Sequence, residues 1–133
     1  MLITYSFIRA LPATVNTHVQ SIAASAATML FLAGQERSAD RNARFLFHPI
    51  ATTIAGTFDS TGMREQMDQL TIAQDTVQQI YKDRTKLSDQ ELDRFNHGQV
   101  TYNADQARRS GVVQTVADLK IPGGQAARML FLD

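Results

Sequence analysis

Ser25 stands in a run of small residues, Ala23-Ala24-Ser25-Ala26-Ala27, ahead of a bulky apolar block that ends at Gly34. A serine is a weak nucleophile at neutral pH. It needs a base within hydrogen-bond reach and donors aimed at the oxyanion that develops during attack. Where a strand turns into a buried helix, the first helical N–H groups are unpaired and the positive end of the helix dipole faces the turning residue. Ser25 fits such a place, and its alanine neighbours leave room for a substrate backbone. The same pattern also describes a close-packed helix start with an N-cap serine, so Ser25 alone decides nothing. His48 closes the aromatic stretch Ala43-Arg44-Phe45-Leu46-Phe47 just before Pro49, and it is the base such a serine would require. Taken alone, a strand-end histidine reads equally as a satisfied surface residue.

The elements that must position these two residues follow from periodicity and stop signals. Residues 2–10, with Leu2, Ile3, Tyr5, Phe7 and Ile8, read as a short helix closing before Pro12. Val15 to Ile22 alternates and reads as one strand, after which the run from Ala23 forms a buried helix stopped by a C-terminal glycine, Gly34. Residues 35–42 are a polar loop, Ala43 to His48 a strand, and the Thr-, Ala- and Gly-rich residues 49–60 an extended arm. Met63, Met67, Leu70, Val77 and Tyr81 recur at helical spacing, interrupted by Gln74, and predict a long amphipathic helix over 61–84. Ser88 and Glu91 form a capping box for a second helix, and Asn103 caps a third that stops at Gly111. Val112 to Val116 reads as a short strand. Residues 117–133 form a tail with a turn at Pro122-Gly123-Gly124 and one further strand at Met129 to Leu132.

Composition narrows the function classes. With 13 basic and 13 acidic side chains in 133 residues the chain carries no basic excess, and its cations are scattered among acids, which disfavours a nucleic-acid partner. The 44% apolar and 20% charged content is that of an ordinary globular domain, and the length suits one domain over 1–133. The absence of cysteine excludes disulfides, thiolate metal sites and a cysteine nucleophile. No cofactor or metal is implied. The longest apolar stretch, Ile22 to Ala33, is well short of the ~20 residues a bilayer-spanning helix needs. The start has no basic region ahead of its apolar residues and does not read as a signal peptide, so a cytoplasmic location is the expectation.

Four landmarks in order resemble the Clp-protease (ClpP-like) family of serine peptidases. They are the Ala-Ser pair opening a buried helix closed by glycine (Ala24-Ser25 to Gly34) and the strand ending in His then Pro (His48-Pro49). Gly56 then precedes the long helix, and Asn103-Ala104-Asp105-Gln106-Ala107 through Gly111-Val112-Val113 matches the closing signature. The resemblance covers about residues 12–116. It implies an α/β fold of stacked β-β-α units as in the ClpP and crotonase folds, here truncated at the N-terminus, with a long protruding handle helix. It also implies a Ser-His-Asp site, homo-oligomeric rings joined through the 61–84 helix, a peptide substrate and an ATP-driven unfoldase as partner. Crotonases share the architecture but act on acyl-CoA thioesters without a serine-histidine pair, so Ser25 with His48 favours the peptidase branch.

Carried over by position, Ser25 attacks the peptide carbonyl, His48 takes its proton, and the Ala26 N–H supplies one oxyanion donor. The third member is the departure. Counting back from Ala104 places it at Gln99, and counting forward from His48 places it near His97; neither is an acid, and Asp93 is the nearest carboxylate. The Gly-Gly segment that provides a second oxyanion donor in the family has no counterpart ahead of Ser25; the chain's Gly-Gly is Gly123-Gly124. Two readings stay open: a self-compartmentalising serine peptidase, and a shortened, catalytically impaired assembly subunit of the same ancestry. A third is an α/β interaction module whose likeness to the family is fortuitous, in which Ser25 and His48 lie far apart.

Overall fold

Short strands come in pairs along this chain, and the first two pairs each divide between two three-stranded sheets. The computed structural model describes residues 2–128. After α1 (Leu2–Ala10), β1 (Thr17–Val19) and β2 (Ile22–Ala24) lead into α2 (Ala26–Leu32). The next pair, β3 (Arg37–Ala39) and β4 (Arg44–Phe47), leads through an irregular arm into α3 (Ser60–Arg84). Then follow α4 (Asp89–His97), β5 (Val100–Asn103), α5 (Ala104–Arg109) and β6 (Thr115–Val116). β1 and β6 flank β3 in one sheet, all parallel, while β2 and β5 flank β4 in the other, with β5 antiparallel. The repeated β-β-α unit is therefore present, stacked twice.

The single strand expected from Val15 to Ile22 is instead two, broken at Gln20-Ser21. The neighbouring chain breaks at the same level between β3 and β4. Asp40 N donates to Val19 O at 2.9 Å and Arg44 N to Ser21 O at 2.8 Å, so the ladder turns a corner without losing its pairing. Alternation survives such a corner, because Val19 and Ala23 both remain buried, and the pattern in sequence therefore does not reveal it. β3 lies inside the segment expected to be a polar loop, and β5 was not anticipated. The strand over Val112 to Val116 shortens to Thr115–Val116, since Val112 and Val113 are fully buried ahead of it. The arm over 49–60 carries no strand; Gly56 sits there at φ 117. The strand expected at Met129 to Leu132 falls outside the described residues.

The three capped helices follow their local signals. Asp59 accepts from Gly62 N at the start of α3, and complete capping boxes open α4 (Ser88 with Glu91) and α5 (Asn103 with Gln106). Phe47, at the end of β4, lies at the centre of an aromatic cluster: it stacks on Phe95 at 4.3 Å and meets Tyr81 and Tyr102 edge-on. α3 is buried only at Val77, Ile80 and Tyr81, while Met63, Met67 and Ile72 are 45%, 58% and 65% exposed. The handle is thus held at its C-terminal end and is apolar but uncovered over its first half.

α2 closes at Gly34, where the sequence places its stop. Gly34 is not left-handed; among glycines only Gly56, Gly111 and Gly124 have positive φ. Glycine is required at position 34 because a Cβ there would run into the Thr17 side chain, with Thr17 Cβ and Cγ2 at 2.9 Å. Thr17 Oγ1 uses that approach to donate to Phe31 O at 2.7 Å. The remaining carbonyls of the helix end are met by two arginines. Arg84 donates to Leu32 O (3.0 Å) and Gly34 O (2.6 Å). Arg37, 5% exposed, donates to Gly34 O, Arg84 O, Gly111 O and Val112 O at 2.8–3.3 Å. Replacing Arg37 by methionine keeps much of the volume and removes every one of these donors. Each buried acceptor left unpaired costs roughly 1–3 kcal/mol, so Arg37→Met should lose about 3 kcal/mol or more in urea denaturation. A loss below about 1 kcal/mol would mean that the carbonyls find other donors.

Candidate active site

The register of β2 against β4 brings the two chemistry-bearing residues to one end of one sheet. Ala24 is the partner of Leu46, and Ser25 N continues the ladder by donating to Leu46 O at 3.3 Å. Ser25 and His48 are therefore the residues at which two adjacent parallel strands leave the sheet. Both line a cavity of about 160 Å³, with Met29, Leu46, Ile50, Ala51, Val77 and Tyr81 making up the rest of its wall. The wall is mainly apolar. Burial pushes the Tyr81 phenol well above its ordinary range, so it remains a neutral hydroxyl.

Ser25 turns the chain from β2 into α2 within one residue. It has φ 53 and ψ −118, the only positive φ outside glycine among the described residues. An L-residue in that region carries roughly 1–3 kcal/mol of strain, and such positions cluster at functional sites. The geometry is that of a strand-to-helix elbow, which pushes a nucleophile's hydroxyl out of the fold. Although Ser25 is the N-cap of α2, its side chain makes no capping hydrogen bond, and the residue is exposed. The reading of Ser25 as an N-cap serine therefore fails on its hydroxyl. Thr28 N pairs with Ser25 O at 3.1 Å, whereas the N–H groups of Ala26 and Ala27 precede the helical ladder and are available to an oxyanion.

His48 Nδ1 lies 2.6 Å from the carbonyl oxygen of Pro49. A carbonyl only accepts, so Nδ1 carries the hydrogen and the neutral ring keeps its lone pair on Nε2. That is the tautomer a general base toward a serine requires. Here a backbone carbonyl occupies the position in which a triad acid would hold the ring. Asp93 lies on α4 with a largely exposed side chain; its carboxylate is 3.5 Å from His97 Nδ1, and its carbonyl accepts from the same nitrogen at 2.8 Å. Gln99 is exposed at the entry to β5. Neither residue lines the cavity. No group of three or more His, Asp or Glu side chains among the described residues is placed to hold a metal ion.

A second constellation of the same residue types lies on the other sheet. His18 Nδ1 is 2.8 Å from Ser38 Oγ, and His18 Nε2 is 2.7 Å from Asp40 Oδ1, beside an open groove of about 620 Å³. The groove is larger, but its chemistry is poorer. β3 is hydrogen-bonded on both sides, so no backbone N–H beside Ser38 is left to face an oxyanion. Asp40 also accepts from Leu119 N at 2.9 Å, while the hydrogen bond from His18 is what chiefly holds its carboxyl below the usual range. The cluster ties residues 117–119 to the sheet. The parallel pairing of His18 with Ser38 produces it, and no spacing in the sequence announces it.

Strain at the elbow gives an expectation that separates it from an ordinary cap. Ser25→Gly should stabilise the fold by about 1 kcal/mol, because glycine adopts positive φ without cost. Ser25→Ala should leave stability within about 0.5 kcal/mol, since no capping bond is lost. Chemical denaturation of the two variants decides; a destabilised glycine variant would show that the elbow stores no strain.

The sequence itself matches known proteins. The family model described as Clp protease matches residues 1–120. The chain is 30% identical over 131 residues to the ATP-dependent Clp protease proteolytic subunit 3 of Streptomyces coelicolor, an alignment that covers 94% of this chain. The chain spans 59% of the length of that relative. The mixed α/β architecture, the paired strands and the long helix agree with the match, and the chain belongs to the Clp protease family.

Proposed function

We propose that this chain hydrolyses peptide bonds with Ser25 as nucleophile and His48 as general base, working as a subunit of a homo-oligomer. The observation that carries the reading is Ser25 itself. A strained, uncapped and exposed hydroxyl at a strand-to-helix elbow shares one apolar cavity with an imidazole whose Nδ1 faces the Pro49 carbonyl, the contact that makes Nε2 the accepting nitrogen of the neutral ring. Ser25 Oγ attacks the carbonyl carbon as its proton passes to His48 Nε2, and the Ala26 N–H faces the resulting oxyanion. Collapse of the tetrahedral adduct expels the amine, which takes the proton from His48 and leaves an acyl-serine. Water, deprotonated by the same nitrogen, then releases the acid and restores the serine. The Pro49 carbonyl orients the ring throughout. It lacks the full negative charge by which a carboxylate steadies an imidazolium, so a slow enzyme is expected. Asp93 enters as the third member only if its segment is rearranged on assembly.

The uncovered apolar half of α3 supports pairing with a second copy through Met63, Met67 and Ile72, joined by the exposed Ile54 and Phe58 of the arm. No described helix is long and apolar enough to cross a membrane. The relative's name includes ATP dependence; for this chain an ATP-driven unfoldase that delivers peptide is the corresponding proposal. A second reading, a subunit retained for assembly with little activity, is favoured by Gln99 at the acid position and by the carboxylate of Asp93 facing His97.

Labelling with a fluorophosphonate probe separates the two. The folded oligomer should form an adduct that Ser25→Ala abolishes and that His48→Gln slows by on the order of 10² or more. A folded oligomer that takes no Ser25-dependent label establishes the assembly reading instead. For the interface, Met67→Lys should shift the particle mass from oligomer toward monomer in light scattering while leaving helical circular dichroism intact. Unchanged mass would place the interface elsewhere.

A further inference from the structure

Gln74 breaks the apolar seam of α3, and the fold uses it where it stands. Its Oε1 accepts from Ile50 N at 2.8 Å, and its Nε2 donates to Asn96 Oδ1 at 2.6 Å. Gln78 Nε2 donates to the same Asn96 oxygen at 2.7 Å. All three amide side chains are partly buried. An N–H can only donate, so the bond from Ile50 fixes which end of the Gln74 amide faces the arm, and Asn96 on α4 fixes the other end. Ile50 follows Pro49, the residue whose carbonyl holds His48 Nδ1. The arm it opens has no strand to anchor it, and residues 51–60 are exposed. Gln74 thereby ties the start of an otherwise loose segment to two helices at the point where its backbone sets the histidine tautomer.

Resting on the assignment of His48 as general base, we propose that Gln74, oriented by Asn96, is a positioning residue that keeps His48 in the Nδ1–H form. It acts through the Pro49–Ile50 backbone and touches no reacting atom. Gln74→Leu removes the acceptor for Ile50 N–H while keeping an apolar body of similar size. Gln74→Glu keeps the acceptor, and Asn96 and Gln78 can both turn their amides, so that Asn96 donates to the new carboxylate and Gln78 meets it with Oε1 rather than with a second donor. Asn96→Ala leaves Gln74 in place and removes its second anchor.

The test is nitrogen NMR of the histidine rings in the intact chain, with the His48 signals assigned by their loss in His48→Gln. Wild type and Gln74→Glu should show His48 as the Nδ1–H tautomer, with Gln74→Leu moved toward the Nε2–H form and Asn96→Ala shifted the same way by less. Ser25 labelling should fall roughly tenfold or more in Gln74→Leu and return to near wild type in Gln74→Glu, a rescue that a merely structural role would not give. If Gln74→Leu is folded and its His48 spectrum matches wild type, the proposal is overturned. A wild-type His48 that is not protonated on Nδ1 overturns it equally. If Gln74→Leu fails to fold, Asn96→Ala decides instead: a shift toward Nε2–H supports the proposal, and an unchanged His48 spectrum overturns it. A wild-type protein that takes no label, yet whose tautomer responds to Gln74, supports the positioning role and overturns only the peptidase reading.

Discussion

Arg37 places a guanidinium among the carbonyls of Gly34, Arg84, Gly111 and Val112, where the end of α2, the end of α3 and the approach to β6 converge. Burial first, and then the neighbouring Arg84, push it below the ordinary guanidinium range, yet an arginine remains charged under any working condition. Its compensation comes wholly from peptide dipoles, with no carboxylate among its hydrogen-bond partners. Two cations at the carbonyl end of α2 also complement the helix dipole. α2 has only seven residues, so a fixed C-terminal end leaves little freedom at the other end, where Ser25 turns. The placement of Ser25 therefore depends on polar contacts formed at the far end of the helix.

Between that anchor and the cavity the parallel ladder does the remaining positioning. Ser25 and His48 leave adjacent strands at nearly the same level, and Phe47 fastens the second of these strands into the aromatic cluster immediately before the histidine. Side chains projected from strand ends are held by backbone pairing rather than by their own contacts, which leaves the serine hydroxyl free. The apolar wall adds a second effect. Beside a mainly apolar wall the hydrogen bond from Nδ1 to the Pro49 carbonyl is stronger than it would be in bulk solvent, and a single carbonyl suffices to choose a tautomer.

The features legible in the sequence are those decided over a few residues. The Ser88–Glu91 box, the Asn103 cap and the spacing of α3 are local, and their helices begin where those signals stand. Ser25 and His48 were also readable, because a strand-to-helix step and a strand end leave marks in composition. What escaped is decided across the chain. The corner at Gln20-Ser21 exists because its neighbour turns with it. β3 is hidden because Arg37-Ser38-Ala39 has no apolar run, its one large side chain being buried through hydrogen bonds. Gly34 reads as a helix stop and is one, but its reason, the Thr17 side chain packed where a Cβ would be, lies 17 residues away. Counting along the chain proposed Asp93 and Gln99 but gave no direction for either side chain, and the carboxylate of Asp93 faces its own helix neighbour. Gln74 registered only as an interruption, since its partners Ile50 and Asn96 are 24 and 22 residues away.

The uneven burial of α3 has a consequence for how order is distributed in the protein. Its last turns are secured by Val77, Ile80 and Tyr81, while its first turns depend on the Asp59 cap and their own ladder. A helix segment without tertiary packing is marginal in water. In a lone protomer, amide protection should therefore rise along this one helix from Met63 toward Tyr81, and a second copy would flatten the gradient by mass action. Gln74, with its hold on the histidine arm, lies close to where packing begins. Covering the first half of α3 would then reach the cavity of Ser25 and His48 as a change in how firmly that arm is held, with the same helix serving as proposed interface at one end and as tether at the other.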